Sequence, residues 1–364
     1  MRNAATDLTE GTPWKIIMRF SIPLFFTFLL QQFYNMVDTI VVGQFLGKDA
    51  LAGVGSTGAI NFMIIGFCMG LANGFVIPVA QRYGAKDYKD MRRFVANSIW
   101  LTVFFAAIMS ITVCILCRSV LIAMKTPADI LDLAYDYIFI IFAGIPITLA
   151  YNLLTGIIRS LGDSKSPLIF LLISSGLNVA LDLVFIAVVG MGVKGAAVAT
   201  VISQGVSVVL CIFYVLRKTR VLVPERKHFQ VGRKLYWDLF SQSISMGLMS
   251  SIVSAGSVVL QYGINGLGTL VIAGHTAARK MFAFTDMPLI AMANAGSTFV
   301  SQNYGANHPD RVRKGMREIY LYSVVVAVLA VLLMNVGAEW MVKLISGSSE
   351  AVVLENGAKY LIWN

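Results

Sequence analysis

Gln81-Arg82-Tyr83-Gly84-Ala85 recurs, 221 residues further on, as Gln302-Asn303-Tyr304-Gly305-Ala306. The same gapless offset pairs Arg92 with Arg313, Arg93 with Lys314, Leu46-Gly47 with Leu267-Gly268, and Ala52-Gly53 with Ala273-Gly274. Apolar residues match by chance in any chain rich in them. Polar loops and glycines do not, so the chain is built from two copies of one unit.

The surroundings of the motif say what that unit is made of. The chain has 364 residues, of which 57% are hydrophobic and 13% charged, and its mean hydropathy is +0.75. Soluble domains carry about 25% charged residues, so a surface this poor in charge is not one that faces water. Disordered, collagenous and disulfide-framework chains are excluded by the same figures. The apolar runs exceed the roughly 18 residues that mark a membrane-crossing helix. The alternating strands of a membrane β-barrel, ~10 residues each, are not visible. Nine complete spans and the start of a tenth are expected at 15–43, 51–80, 94–117, 133–158, 167–189, 195–216, 236–262, 269–300, 317–345 and from 358 onward. The first run is long and lacks a small-residue cleavage site, so it reads as a retained span and not a signal peptide. Cys68, Cys114, Cys117 and Cys211 lie inside apolar runs and read as small free core residues.

Each copy of the repeat then holds six spans. Six is even, so both copies enter the membrane from the same side. The expected fold is an all-α integral membrane protein of two parallel six-helix repeats, related by an axis along the membrane normal, as in transporters with a cavity between their halves. Residues 1–216 form the N-lobe, 217–235 (RKTRVLVPERKHFQVGRKL) a basic linker, and 236–364 a partial C-lobe. Two full copies of a 221-residue unit need more chain than this, so the second repeat is expected to stop as span 10 begins.

The net charge of +10 does not point to nucleic acid, because the basic residues sit between the apolar runs. Their distribution sets topology instead. Loops on the amino-terminal side hold twenty-one Lys and Arg; those on the other side hold only Lys48, Arg118, Lys125, Lys194 and Lys343. That bias predicts a cytoplasmic N-terminus in a multi-pass cell-membrane protein.

Polar groups inside the spans are costly and need a reason. Asp38 lies in span 1; Asn178 and Asp182, four apart on one helix face, lie in span 5; Thr200 lies early in span 6. At 1.5 Å per residue, Asp38, Asp182 and Thr200 fall at a common depth, about 7–10 Å from the outer ends. Each acid alone reads as a structural hydrogen bond. Together they cannot both remain bare anions in low dielectric: one takes a proton, or both share a cation. Their oxygens suit H⁺ or Na⁺ and not a soft metal. Gln31, Tyr34 and Asn35 make span 1 polar near its middle, and Tyr135, Tyr137, Asn152 and Arg159 do the same for span 4; of these Gln31, Tyr34, Asn35, Tyr137 and Asn152 are candidate cavity residues. Arg279 shares a face of span 8 with His275 and Asp286, as a structural network or as cavity lining. Pro23 kinks span 1, either statically or as a hinge coupled to Asp38. The 17 methionines serve packing, or a cavity that accepts varied apolar shapes.

The paired lobes, the repeated Gln-x-Tyr-Gly-Ala loop, and RSLGDSKSP at 159–167 resemble the multidrug and toxic-compound extrusion (MATE) transporters. Asp38 with Asn178, Asp182 and Thr200 is similar to the N-lobe cation site of the family's DinF-like prokaryotic branch. The family's other bacterial branch also uses acids in spans 7 and 10; here span 7 has only Asp238, at its edge. The resemblance implies a twelve-helix fold and antiport, in which H⁺ or Na⁺ entry drives export of small organic, often cationic or amphipathic, compounds by a monomer in the lipid bilayer. It implies no further cofactor and no nucleic-acid partner. A lipid-linked saccharide flippase of the same superfamily, or an inactive fragment, is the alternative. An enzyme is not expected: the sequence holds no H-E-x-x-H, G-x-S-x-G, Walker or zinc spacing.

Overall fold

The computed structural model describes residues 7–229, 232–265, 269–346 and 350–363. Eleven α-helices follow one another among them: α1 Pro13–Ser56, α2 Gly58–Gly84, α3 Tyr88–Ala123, α4 Ala128–Ala143, α5 Ile145–Ser160, α6 Lys165–Asp182, α7 Val193–Lys218, α8 Arg233–Asn265, α9 Thr269–Gly305, α10 Pro309–Ser346 and α11 Ala351–Trp363. A π-helical segment, Leu183–Val188, continues α6.

Several expected spans change shape. The run 133–158 is two helices, α4 and α5, bent by 46°. Pro146 stands in the first turn of α5, where its ring and missing N–H end one helix and start the next. The run 167–189 is α-helical only to Asp182. Span 1 outlasts its expected end at Gly43. It breaks at Gly47, whose φ of 82° and ψ of −174° suit a residue without a Cβ. Pro23 stays within helical backbone, and Thr27 Oγ1 donates to its carbonyl at 2.8 Å. Among the described residues, six single helices and the bent pair are long and apolar enough to cross a membrane, against nine complete spans expected. The helices α8 and α9, at 33 and 37 residues, have the length. In α8 serines dilute the apolarity, and Ser243, Ser250 and Ser254 lie against the glycines of α2; in α9 the charged groups Arg279, Lys280 and Asp286 do so.

The two lobes meet along two seams. On α2, Gly66, Gly70 and Gly74 recur every four residues and form one stripe. A Cβ on Gly70 would stand 2.5 Å from Met246 O, and one on Gly74 2.4 Å from Ser243 Cα. The α2 backbone thus lies directly on α8, the small-residue packing by which membrane helices gain close contact. The second seam sets Ile17, Phe20 and Leu24 of α1 against Ala291, Met292, Ala295 and Phe299 of α9, with Leu8 beneath. The linker forms two short 3-10 turns, Arg220–Leu222 and Arg226–Phe229, docked on α3.

Candidate transport site

Four helices of the N-lobe converge on the two acids. Tyr34 and Asp38 stand one turn apart on α1, Asn178 and Asp182 one turn apart on α6, Thr200 on α7 and Tyr137 on α4. Asn178 and Asp182 are fully buried, and Asp38 and Tyr137 nearly so. Tyr34 donates its hydroxyl to Thr200 Oγ1 at 3.1 Å. With its amide turned to satisfy both ends, Asn178 donates to Asp182 Oδ2 at 2.9 Å and accepts from the Thr200 N–H at 3.2 Å. Asp38 and Asp182 are close enough to feel one another's charge, and Tyr137 lies within reach of both. Asp38 Oδ1 and Asp182 Oδ1 are buried without a hydrogen-bond partner among the described residues. Two orphaned carboxylate oxygens in one dry cluster call for a proton or a cation.

The backbone changes hand-hold at this point. Asp182 closes the regular α6, and in the next turn Val189 N–H reaches back five residues to Val184 O at 2.9 Å. Such π-turns recur at functional sites. Nothing in the apolar run LVFIAV signals one, and the sequence reading missed it.

A cavity of about 340 Å³ lies between the lobes. Its walls come from α1, α2, α5, α8 and α9, with Pro167 of α6 at the edge. Of the residues expected there, Gln31 and Asn152 line it. Tyr34 and Tyr137 belong instead to the acid cluster, Asn35 is exposed on α1, and Arg279 is not among the lining residues. Tyr34 lies one turn past Gln31, so their shared helix misled the reading: three residues of rotation and rise carry a side chain from the cavity to the lobe interior. Asn73, Tyr151, Arg159 and Asn294 line the cavity and were not expected to.

The repeated motif closes one end of this cavity. Gly84 sits against Gln302 O and Gly305 against Gln81 O, so close that a Cβ would come within 1.9 Å and 1.8 Å. The two motifs therefore touch each other across the pseudo-two-fold axis. Each ends in the same turn. Ala85, Lys86 and Asp87 donate to Gln81, Tyr83 and Arg82 carbonyls; Ala306, Asn307 and His308 donate to Gln302, Tyr304 and Asn303. Lys86 and Asn307 share a φ of 57°, the left-handed helix cap. On the C-lobe side the gate is also bolted. Buried Gln302 accepts from Leu8 N–H at 3.0 Å and donates to Ser160 O at 2.6 Å.

The C-lobe carries no comparable acid cluster among the described residues. His275 packs edge-on to Tyr360, ring centroids 4.4 Å apart. Arg279 and Asp286 form no ion pair there, so the expected Arg279–Asp286 network is not made. Among the described residues no group of three or more His, Cys, Asp and Glu is placed to hold a metal ion.

Two helical lobes around a cavity, shut at one end by a symmetric gate, with a buried acid pair in one lobe, define a membrane transporter. The MatE family profile matches residues 23–184 and 246–363, and the chain belongs to that family. It is 28% identical over 363 residues to the probable multidrug resistance protein YpnP of Bacillus subtilis (strain 168), covering 99% of this chain and 80% of that protein. To the multidrug export protein MepA of Staphylococcus saprophyticus it is 24% identical, over 90% of this chain and 73% of that one. Among solved structures, the outward-facing conformation of a multidrug resistance MATE transporter of the MOP superfamily superposes with a TM-score of 0.89 at 25% identity, covering 100% of this chain and 80% of that one. The chain is thus a multi-pass membrane transporter with the MATE fold.

Proposed function

We propose that the chain is a cation-coupled antiporter that exports small amphipathic organic compounds by alternating access. The observation that carries this reading is the buried cluster of Asp38, Asn178, Asp182 and Thr200, with two carboxylate oxygens left for a cation. Protonation, or Na⁺ shared between the acids, neutralises the site. Loss of that ion restores two repelling charges in low dielectric. The cluster and the cavity share α1, whose Gln31 and Asp38 stand seven residues, about 10 Å, apart along the axis. Repacking of α1 as the acids change charge therefore reaches the cavity wall, with Pro23 the candidate hinge. The two seams and the gate seal the amino-terminal end, which supports an outward-open state with a cytoplasmic N-terminus in the plasma membrane, the chain acting as a monomer. The known multidrug proteins among its relatives support export of organic compounds.

The decisive experiment measures dye export from cells or proteoliposomes under imposed gradients. Export should stop when both the proton and sodium gradients collapse. Asp38→Asn and Asp182→Asn should insert normally, since they remove buried charge, yet lose gradient-driven export. Export that persists without either gradient but halts on ATP depletion would sink the antiport reading. Topology has its own test: a cysteine at Arg226 should stay unlabelled by an impermeant reagent outside intact cells.

A further inference from the structure

The cavity has a charge sign of its own. Among its lining residues the single charged side chain is Arg159, near the end of α5, and none is a carboxylate. Arg159 is part-buried, and its guanidinium makes no hydrogen bond or ion pair among the described residues. Asp38 and Asp182 are spent on their own cluster, and neither lines the cavity. Around Arg159 the lining supplies neutral polar groups, Gln31, Asn73, Tyr151 and Asn152. The rest of the lining is largely apolar and includes Phe28, Phe62, Met249 and Ile290. An unpaired guanidinium in a recess walled by hydrocarbon is costly, because its field is weakly screened there. The same field attracts an anion strongly and repels a cation. Guanidinium geometry matches the planar or trigonal oxygens of a carboxylate, sulfonate or phosphate.

We propose that the cavity selects amphipathic organic anions: an oxyanion headgroup on Arg159, with an apolar body against the α1, α2, α8 and α9 wall. This narrows the substrate class within the export reading above and rests on it. The position of Arg159 also ties the headgroup to the gate. The next residue, Ser160, gives its carbonyl to Gln302 of the opposite lobe, so an anion drawn to Arg159 is seated beside the bolt that closes the amino-terminal end.

The test is a binding measurement on the full chain in lipid nanodiscs, without any gradient, so that it reads the cavity and not the coupling. Two probes share one aromatic body: 2-naphthalenesulfonate and 2-naphthylmethylammonium. The sulfonate should bind at least tenfold tighter. Arg159→Gln should cost at least tenfold for the sulfonate and leave the ammonium unchanged or improved, while Arg159→Lys keeps part of the preference. Should Arg159→Gln fold poorly, Asn294→Asp gives an independent arm. That isosteric change puts a carboxylate in the wall and should reverse the preference between the two probes. Equal or undetectable binding of the two probes, an ammonium preference in the unaltered chain, or a sulfonate affinity indifferent to Arg159→Gln overturns the proposal. Anion-selective binding combined with gradient-independent export would leave it standing and sink the coupling reading alone.

Discussion

Asp38 and Val259 occupy the same position in the two copies of the 221-residue repeat. Asp38 is 9% exposed, within a cluster that holds a second acid; Val259 is 71% exposed. The copies thus share backbone and diverge in chemistry, one lobe gathering buried acids while the other presents an apolar surface at the matching site. Duplication of a fold did not carry duplication of a site, because an acid costs free energy in the membrane unless its neighbours are also polar. The largest predicted effects exploit this. Asp38→Asn should abolish gradient-driven export. Adding Val259→Asp to that variant should not restore it, since no partner acid awaits it among the described residues. The added acid should instead impair insertion, by up to about 2.5–3.5 kcal/mol if it reaches mid-membrane. Recovery of coupled export in the double variant would show that the two lobes are interchangeable.

The gate is the opposite case, where the copies are used alike. Gly84 and Gly305 each face a carbonyl of the partner motif at a distance no Cβ tolerates. Gly84→Ala and Gly305→Ala should therefore have similar consequences. Each forces the motifs apart and destabilises the closed gate by about 1–3 kcal/mol, as overpacking does. Spin labels at exposed Lys89 and Lys314 should report a longer, broader distance distribution in both variants. An effect confined to one glycine would mean that the gate is not the symmetric contact its sequence repeat describes.

That contact was half legible beforehand. The motif Gln-x-Tyr-Gly-Ala revealed the duplication, and duplication with six spans revealed the parallel lobes. It did not reveal that the copies touch, because a repeat states equivalence and not proximity. The acid cluster was legible for a plainer reason: buried acids are rare enough in a membrane that each one needs a partner, and helix rise alone puts Asp38, Asp182 and Thr200 at one depth. The cavity was not. Its lining depends on which face of each helix turns toward the other lobe. The glycine stripe Gly66, Gly70, Gly74 that sets this for α2 looked like one more apolar run. Arg159 was counted with the basic residues of the amino-terminal side and grouped with the polar residues of span 4, a fair count for topology that did not assign it to the cavity. Bends at Gly144 and after Asp182 escaped notice because hydropathy averages over them, although Pro146 did carry a local signal for the first.

A third, smaller contrast concerns the segments that lead into each lobe. The N-lobe lead-in, residues 7–11, is held by the C-lobe: Arg311 donates to Gly11 O at 2.7 Å and to Leu8 O at 3.2 Å, and is itself fixed on α9 by donating to Asn303 Oδ1 at 2.8 Å. The C-lobe lead-in, the linker, is held by the N-lobe: Arg92, one of the residues that pairs across the repeat, donates to Val221 O at 3.0 Å. Arg311→Ala removes three bonds and should cost about 1–3 kcal/mol. Arg92→Ala removes that single bond and a half-exposed ion pair to Glu225 at 3.4 Å, and should cost about 1 kcal/mol or less. Thermal unfolding in detergent, with proteolysis of each lead-in followed separately, should rank the two variants in that order. The reverse order would make the linker, and not the amino-terminal segment, the principal bolt.

The smallest predicted effect is a pH dependence confined to one lead-in. At equivalent positions stand Asp7 and His228. Asp7 Oδ1 accepts from Thr9 N–H at 2.8 Å. His228 Nδ1 accepts from Glu225 N–H at 2.9 Å, while its carbonyl takes a bond from Asn97. The imidazole is 2% exposed. Burial pushes its pKa below the ordinary value; Glu225 pulls the other way, and Lys227, Arg92 and Arg93 add to the lowering. The sign follows. A histidine whose folded pKa is depressed binds its proton more readily when undocked, so linker docking is fully stable above the ordinary pKa of about 6.5 and weakens as pH falls below it. Protonation also destroys the Nδ1 acceptor, so the lost bond to Glu225 N–H sets the scale at about 1 kcal/mol. Amide exchange at residues 221–228 should accelerate between neutral and mildly acidic pH, beyond the change expected from intrinsic exchange, while residues 8–11 should not. His228→Gln should flatten that dependence. Equal acceleration in both lead-ins, or a dependence that survives His228→Gln, would place the titrating group elsewhere and remove this distinction between the two copies.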